Sequence, residues 1–183
     1  MNPPSEPVIR MAARGDGVTE RGRFVPGAVP GDRVDPDGNI EPGPGHVEPA
    51  CRHFGHCGGC QLQHAADPVL AAFARDRIVE PLRAVGIVAA EILPTALSPP
   101  ASRRRAAMRA TRRQGTVRLG FNAAGTHDLV DIIECPVLSP GLVALVGPLR
   151  ALLARHLAER AAVSVTMAET DHGVDLLLGD LRA

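Results

Sequence analysis

Three cysteines within ten residues constrain this chain more than any other feature of its sequence. Cys51, Cys57 and Cys60 follow at five- and two-residue spacings, and Gly58-Gly59 separates the last two. Glycines at this point allow the backbone to fold round a metal group without side-chain clash. Cys135 stands alone far downstream and can supply a fourth thiolate. The spacing therefore predicts a metal loop whose ligands are Cys51, Cys57, Cys60 and Cys135.

The spacing alone leaves the identity of the metal open. Four thiolates suit either a 4Fe-4S cluster or a tetrahedral zinc ion. Zinc ribbons usually bring two close pairs of ligands, so the layout of three plus one favours iron–sulfur. Free or redox-active thiols are a third interpretation, and disulfides are weaker for a chain expected in a reducing compartment. Three nearby histidines are not needed as ligands, namely His53, His56 and His64. We interpret them as residues that surround the metal ligands or lie on the surface.

Charge is distributed unevenly along the chain. All twenty basic residues are arginine, and seven of them lie between Glu91 and Asp128 with no acidic residue among them. The net charge of the whole chain is zero, so the rest of it carries −7. A GC-rich genome can account for the preference for arginine. The clustering itself is typical either of a solvated sheet face or of a surface that a polyanion neutralises.

The basic segment 103–121 predicts a β-hairpin with Gln114-Gly115 as a two-residue turn. In that register Thr111 faces Arg118, and Ala106, Met108 and Ala110 share an apolar face. The opposite face then carries four arginines, namely Arg105, Arg109, Arg113 and Arg118.

The remaining elements follow from periodicity and from proline and glycine signals. We expect a disordered tail over 1–7, short strands with tight turns over 8–34 and a Pro/Gly loop over 35–50. A helix is predicted from about Asp67, as its cap, to Val85, and a second helix from Ser139-Pro140 to about Arg160. A third strand is predicted over Leu129–Glu134, and a last hairpin pairs Val163–Met167 with Val174–Leu178.

Composition excludes some classes of protein. Hydrophobic residues make up 45% and charged residues 22%, as in soluble globular domains, whereas aromatic residues make up only 2%. No apolar run approaches the roughly 18 residues of a membrane helix. The N-terminal residues show no secretory signal. We therefore expect a cytoplasmic monomer with no membrane partner.

Several runs of the sequence resemble those of the RNA (uracil-5-)-methyltransferases. Arg10–Gly17 and Gly22–Asp32 are similar to a TRAM domain, a small RNA-binding barrel related to the OB-fold. Four further runs resemble the iron–sulfur region of the same family, namely Cys51–His64, Arg103–Arg105, Leu119–Phe121 and Val130–Leu138. The resemblance spans nearly the whole chain, and its cysteine motif is the specific part.

The resemblance implies a 4Fe-4S cluster on the four cysteines and structured ribosomal or transfer RNA as the partner. Members of the family methylate carbon 5 of a uridine with S-adenosylmethionine, using a cysteine nucleophile and a carboxylate in a C-terminal Rossmann-type domain. Here all four cysteines match cluster ligands, and no glycine-rich cofactor loop follows Gly141. We therefore expect an N-terminal portion in which the catalytic domain is absent and which is inactive alone.

The fold class that follows is α+β. A reduced TRAM/OB-like β module over 8–48 precedes a central domain over 49–183 that combines an antiparallel sheet, two helices and the metal-cluster loop. We predict that the chain binds RNA as part of a uridine C5-methyltransferase. The type of enzyme that acts on 23S rRNA is favoured. The candidate RNA contacts are Arg21 and Arg23 of the module and Arg105, Arg109, Arg113 and Arg118 of the hairpin.

Two alternatives from other classes remain open on the sequence. One is a stand-alone zinc or iron–sulfur RNA-binding module with no enzyme partner. The other is a redox protein whose cluster carries electrons or senses oxidation. We expect the cluster to be structural, because four thiolates leave no open iron site and the methyl transfer needs no electron.

Overall fold

The structure, a computed structural model, describes residues 4–88 and 91–179. The chain divides into two compact units. One unit runs to Pro49 and takes in Leu62–Leu97, and the other comprises Ala50–Gln61 and the chain from Ser98 onward. Residues 62–88 and 91–97 thus group with the β module, and the domain boundary predicted at 48/49 stays a prediction. No helix among the described residues is long and apolar enough to cross a membrane.

The first unit contains a sheet of five short antiparallel strands in the order β3-β2-β1-β4-β5. Their bounds are Glu6–Met11 (β1), Gly17–Thr19 (β2), Phe24–Val25 (β3), Arg33–Val34 (β4) and Ile40–Glu41 (β5). The predicted disordered tail over 1–7 is wrong at its end, because Glu6 and Pro7 pair with Val34 and Arg33. Residues 1–3 of that tail lie outside the described residues.

Close backbone packing holds this small sheet together. Its buried core consists of Val8, Val25, Ala28 and Val34. Gly43 lies so close to the Gly31 carbonyl that a Cβ atom on Gly43 would overlap it. The proline- and glycine-rich segment 35–50 forms only the two-residue strand β5, as its composition predicts.

One helix, α1 (Asp67–Ala84), completes the described part of the first unit. The predicted helix is confirmed, with Pro68 in its first turn and Gly86 beyond its end at a φ of 77°. Asp67 was predicted as the cap, but the cap residue is Ala66 and it makes no side-chain hydrogen bond.

The second unit contains a five-stranded antiparallel sheet in the order β10-β9-β6-β7-β8. Its strands are Arg105–Arg113 (β6), Thr116–Asn122 (β7), Leu129–Asp131 (β8), Ala162–Thr170 (β9) and Gly173–Gly179 (β10). Helix α2 (Pro140–His156) joins β8 to β9. The third predicted strand ends three residues early, at Asp131, and the second helix ends at His156, because Leu157 is already extended.

The core of this unit lies between α2 and one face of the sheet. The apolar faces of β6 and β9 meet Leu142, Val146, Leu149 and Leu153 from the helix. The alternation of Ala106, Met108 and Ala110 places all three in this core. The opposite face of the sheet carries four exposed arginines, namely Arg105, Arg109, Arg113 and Arg118.

The β6–β7 hairpin forms in the predicted register. Thr111 pairs with Arg118, and Arg113 pairs with Thr116 across the Gln114-Gly115 turn. Both turn residues adopt positive φ, 51° for Gln114 and 76° for Gly115, as a tight hairpin turn of the primed type requires.

Candidate functional site

The cysteine loop is a short ordered segment of the second unit. The Phe54 N–H donates to the Cys51 carbonyl at 3.0 Å, and the Cys57 N–H donates to the His53 carbonyl at 2.8 Å. The loop then meets the sheet, because Cys57 forms a β-bridge with Ala123. These bonds order the backbone from Cys51 to Cys57 and join Cys57 to the sheet.

The two glycines between Cys57 and Cys60 make this close approach possible. A Cβ atom on Gly58 would come within 2.8 Å of the Asn122 carbonyl oxygen. The Gly59 N–H donates to the Cys57 sulfur at 3.5 Å. Such N–H groups favour the thiolate form, which is the form that binds metal.

Two contacts tie the cysteine loop to the residues just before Cys135. Arg52 Nε lies 3.0 Å from a carboxylate oxygen of Glu134, and the Ile133 N–H donates to His53 Nε2 at 3.4 Å. Cys135 lies beyond the end of β8, which ends at Asp131. The fold thus brings the downstream cysteine to the loop over a sequence gap of more than 70 residues.

The four thiols are half-buried and unbonded to one another. Burial raises the pKa of Cys57, the Gly59 N–H opposes this shift, and the charges of Cys60, Cys51 and Cys135 raise the pKa further. Within the described residues, however, no three His, Cys, Asp or Glu side chains form a ready group for a metal ion. The four sulfur atoms therefore do not converge on one metal position in this structure.

The arginine face comprises Arg105, Arg109, Arg113 and Arg118, which share the solvent side of β6 and β7. All four are exposed, whereas the intervening Met108 and Ala110 are 4% and 0% exposed. The three on β6 recur every fourth residue, about 13 Å apart along the strand. The face thus carries a row of cations over a buried apolar layer.

These four arginines differ from their neighbours in the groups that they meet. Among the described residues, none of the four has a carboxylate within 4 Å, whereas Arg104, Arg112 and Arg150 each form an ion pair. Arg118 donates to the Leu129 carbonyl at 2.6 Å. The Glu159 carboxylate accepts from the turn N–H groups of Gly115 and Gln114, which lower its pKa, and Arg112 and Arg113 add to that effect. Positive charge on this face is therefore largely uncompensated.

The two arginines predicted as RNA contacts in the first unit are engaged within that unit. Arg23 donates to the carbonyl oxygens of Asp35 at 2.9 Å and Pro36 at 3.4 Å. Arg21 lies 3.7 Å from a carboxylate oxygen of Glu6. Phe24, beside them on β3, is 61% exposed. Arg23 thus holds the hairpin to the loop at 35–36, a role that its sequence position does not reveal.

The first unit contains a buried polar network that the sequence pattern does not reveal. The Asp32 carboxylate is fully buried and accepts from the N–H groups of Val29 at 2.9 Å and Gly43 at 2.8 Å. His46 Nδ1 lies 2.9 Å from it, and the His46 and His64 ring centroids are 5.3 Å apart. Of the two interpretations of His64, the surface one is wrong, because its side chain is buried. No local signal could have found this network, since its residues come from three separate segments.

The known proteins that resemble this chain are named as RNA methyltransferases. The chain is 45% identical over 171 residues to an uncharacterized RNA methyltransferase of Zymomonas mobilis, over 93% of this chain and 43% of that protein. It is 37% identical over 193 residues to an uncharacterized RNA methyltransferase of Rhizobium meliloti, over 96% of this chain and 46% of that protein. No protein-family profile matches the chain.

One relative has a more specific name. The chain is 35% identical over 176 residues to a 23S rRNA (uracil(1939)-C(5))-methyltransferase of Halomonas elongata, over 87% of this chain and 36% of that protein. The chain therefore matches RNA methyltransferases over nearly its whole length while spanning less than half the length of these curated relatives.

Proposed function

We propose that this chain is the RNA-binding, cluster-bearing part of an S-adenosylmethionine-dependent methyltransferase that acts on carbon 5 of a uridine in ribosomal RNA. The observation that carries the proposal is the arginine face. Its four guanidinium groups lie on one surface without a carboxylate in ion-pair range among the described residues. A polyanion would relieve their mutual repulsion and release its own counterions.

The arginine face suits the backbone of RNA better than its bases. Guanidinium groups bind phosphate in a bidentate manner. No aromatic residue occurs on β6, and the one on β7, Phe121, packs against the core. Base stacking therefore has no platform along this row, and the face would position RNA rather than select its sequence.

The names of the relatives support the RNA partner and the reaction class. Three of them are RNA methyltransferases by name, and the protein from Halomonas elongata acts on a uracil of 23S rRNA. Uridine C5 methylation of 23S rRNA is accordingly the reaction that we propose for the whole enzyme. In the first unit, the five short strands and the TRAM-like sequence runs support a second RNA-binding surface.

We propose that Cys51, Cys57, Cys60 and Cys135 hold a 4Fe-4S cluster. Four half-buried thiols, and a backbone N–H that points at one of their sulfurs, support this proposal, although the described residues form no ready group for a metal ion. The layout of three close cysteines and one distant cysteine favours a cluster over a zinc ion, because zinc ribbons usually bring two close pairs of ligands. When bound, the cluster would act as a structural link between the loop and the end of β8.

The cysteine nucleophile and the methyl-donor site of the proposed reaction fall outside these residues. All four cysteines belong to the thiol group, which leaves none to attack a uracil. The role of this chain is then to bind and orient the RNA for a methyltransferase domain that also binds S-adenosylmethionine. In this proposal, activity requires both the chain and such a domain.

A binding experiment tests the RNA role. Arg105→Gln with Arg109→Gln should weaken binding of a fluorescent ribosomal RNA stem-loop and reduce its salt dependence by about 0.7–0.9 log unit for each phosphate that is no longer neutralised. The matched control is Arg75→Gln with Arg83→Gln, which removes the same charge from exposed positions on α1. Equal weakening in the two double variants, or no RNA binding by the unmodified chain, would contradict the proposal.

Anaerobic purification tests the cluster. The chain has no Trp or Tyr, so its own absorbance at 280 nm is minimal. Cluster-loaded protein should be brown, with a broad thiolate-to-iron band and about four irons per chain. A colourless protein with one zinc per chain would refute the iron–sulfur assignment while leaving the RNA role to the binding experiment.

A further inference from the structure

A small pocket lies beside the cysteine loop, at the end of β7. It is lined by Gly58-Gly59, Gln61, the Phe121 ring and residues 122–125, and its volume is about 250 Å³. Pockets for drug-sized ligands measure about 300–1,000 Å³. The pocket therefore suits a single planar ring system rather than a larger molecule.

The two glycines of the cysteine loop shape this pocket. The Gly58 N–H donates to the Asn122 carbonyl at 2.9 Å, which fixes the loop against the end of the strand. A Cβ atom on Gly59 would be 3.6 Å from the Phe121 ring, so the ring lies directly under the loop. Ala124 closes the other side through its N–H bond to the His56 carbonyl at 3.2 Å.

Two side-chain amides line this pocket and are available for hydrogen bonds to a ligand. Gln61 and Asn122 are both exposed, and neither amide bonds to another residue in the described part of the chain. Each amide offers a donor and an acceptor side by side. The edge of a nucleobase presents the complementary pair.

A fixed cation lies next to the pocket. The Arg118 guanidinium donates to the Leu129 carbonyl, and Leu129 pairs with Asn122 across β7 and β8. Arg118 and Asn122 also have the same parity on β7, so both belong to the arginine face. A ring-sized pocket, two amides and a neighbouring guanidinium match the base and the phosphate of one nucleotide.

We propose that this pocket binds the base of one unpaired RNA nucleotide, with a phosphate of the same strand on Arg118. The inference rests on the proposed RNA-binding function and adds a base-recognising site to a face that otherwise contacts only backbone. Unpaired bases are commonly recognised by hydrogen bonds to their edges, which the two amides would supply here.

The test compares oligonucleotides with and without bases on the full chain. Binding of single-stranded eight-nucleotide oligo(U) and oligo(A) is measured beside an abasic ribose–phosphate oligomer of the same length. The unmodified chain should prefer at least one base-bearing oligomer by about fivefold or more. Gln61→Ala and Asn122→Ala should each reduce that preference while leaving abasic affinity and salt dependence unchanged.

Two further variants make the outcome decisive. Ala124→Leu should fill the pocket and abolish the preference even if an amide variant fails to fold. Thr116→Ala, at the exposed far end of β7, should leave the preference intact. Equal binding of base-bearing and abasic oligomers would overturn the pocket and leave the backbone role standing. No binding of any oligomer or stem-loop would overturn both.

Discussion

The Arg112 guanidinium donates a hydrogen bond to the Leu157 carbonyl at 2.9 Å and lies 3.7 Å from the Glu159 carboxylate. Arg109, three residues earlier on the same strand, faces the opposite side of the sheet and has no ion pair within the described residues. Two arginines of one basic segment thus differ in role. Arg112 links β6 to the end of α2, and Arg109 is available to a ligand.

This difference predicts separable effects of two identical substitutions. Arg112→Gln should lower the free energy of unfolding by about 1.5 kcal/mol, because it removes a hydrogen bond to a charged group. Arg109→Gln should leave stability within about 0.5 kcal/mol, as exposed substitutions usually do, and should weaken RNA binding. Urea unfolding and a salt titration of RNA affinity measure the two effects. If Arg109→Gln stays folded with unchanged affinity and salt slope, the arginine face is merely solvated.

Met108→Gln provides the opposite control within the same strand. Met108 is 4% exposed and packs in the sheet core. A buried amide without a partner should cost about 1–3 kcal/mol, seen as a lower melting temperature. RNA affinity of the remaining folded protein should be unchanged.

Cys135→Ser should lower iron content and destabilise the second unit, because metal-binding free energy becomes folding free energy. Iron analysis and thermal melting under anaerobic conditions provide the measurement. Glu134→Gln is the neighbouring control. It breaks only an exposed pair with Arg52, worth about 0–1 kcal/mol, and should keep the metal. Full iron content in Cys135→Ser would assign the fourth ligand elsewhere.

Gly120→Ala should destabilise the second unit by about 1–3 kcal/mol through overpacking. A Cβ atom at this position would overlap the Val130 carbonyl of β8 and press on Ile132. Gly147→Ala is the matched control, because nothing lies within 4 Å of its Cβ position in α2. Alanine there should stabilise by up to about 1 kcal/mol through helix propensity. Similar unfolding curves for both variants would contradict this account of β8 packing.

The buried histidine of the first unit predicts a pH dependence of stability. Burial lowers the pKa of His64 below its ordinary 6.5, the nearby His46 lowers it further, and the Asp32 carboxylate opposes the shift. The unfolded chain therefore binds a proton more readily than the folded one. The contribution of His64 is complete above 6.5 and is lost as the pH falls through 6.5 toward the lowered value.

Urea unfolding at about pH 7.5 and about pH 5.5 measures this decrease in stability. His64→Gln removes the titrating group, so the decrease between the two values should be smaller in the variant than in the unmodified chain. An equal decrease in both proteins would show that other groups carry the pH dependence.

The sequence by itself determined the features that depend on local pattern. Alternation along 105–113, with Gln114-Gly115 at its end, specified the hairpin register, because side chains on a strand alternate between faces. The apolar spacing of Leu142, Leu149 and Leu153 specified the buried side of α2. Cysteine spacing likewise singled out the loop at 51–60. Such signals depend on a few neighbouring residues, so they predict the same local structure in different tertiary folds.

Only the tertiary structure decided which residues satisfy one another. The Asp32, His46 and His64 network, the engagement of Arg23 by the carbonyls of Asp35 and Pro36, and the pairing of Glu6 with Val34 join segments with no sequence relation. The same holds for the arginines, since composition counts seven in one segment but topology decides which meet a carboxylate. Their partners come from β8, from the residues after α2 and from the turn between β9 and β10, and chain folding alone sets those distances.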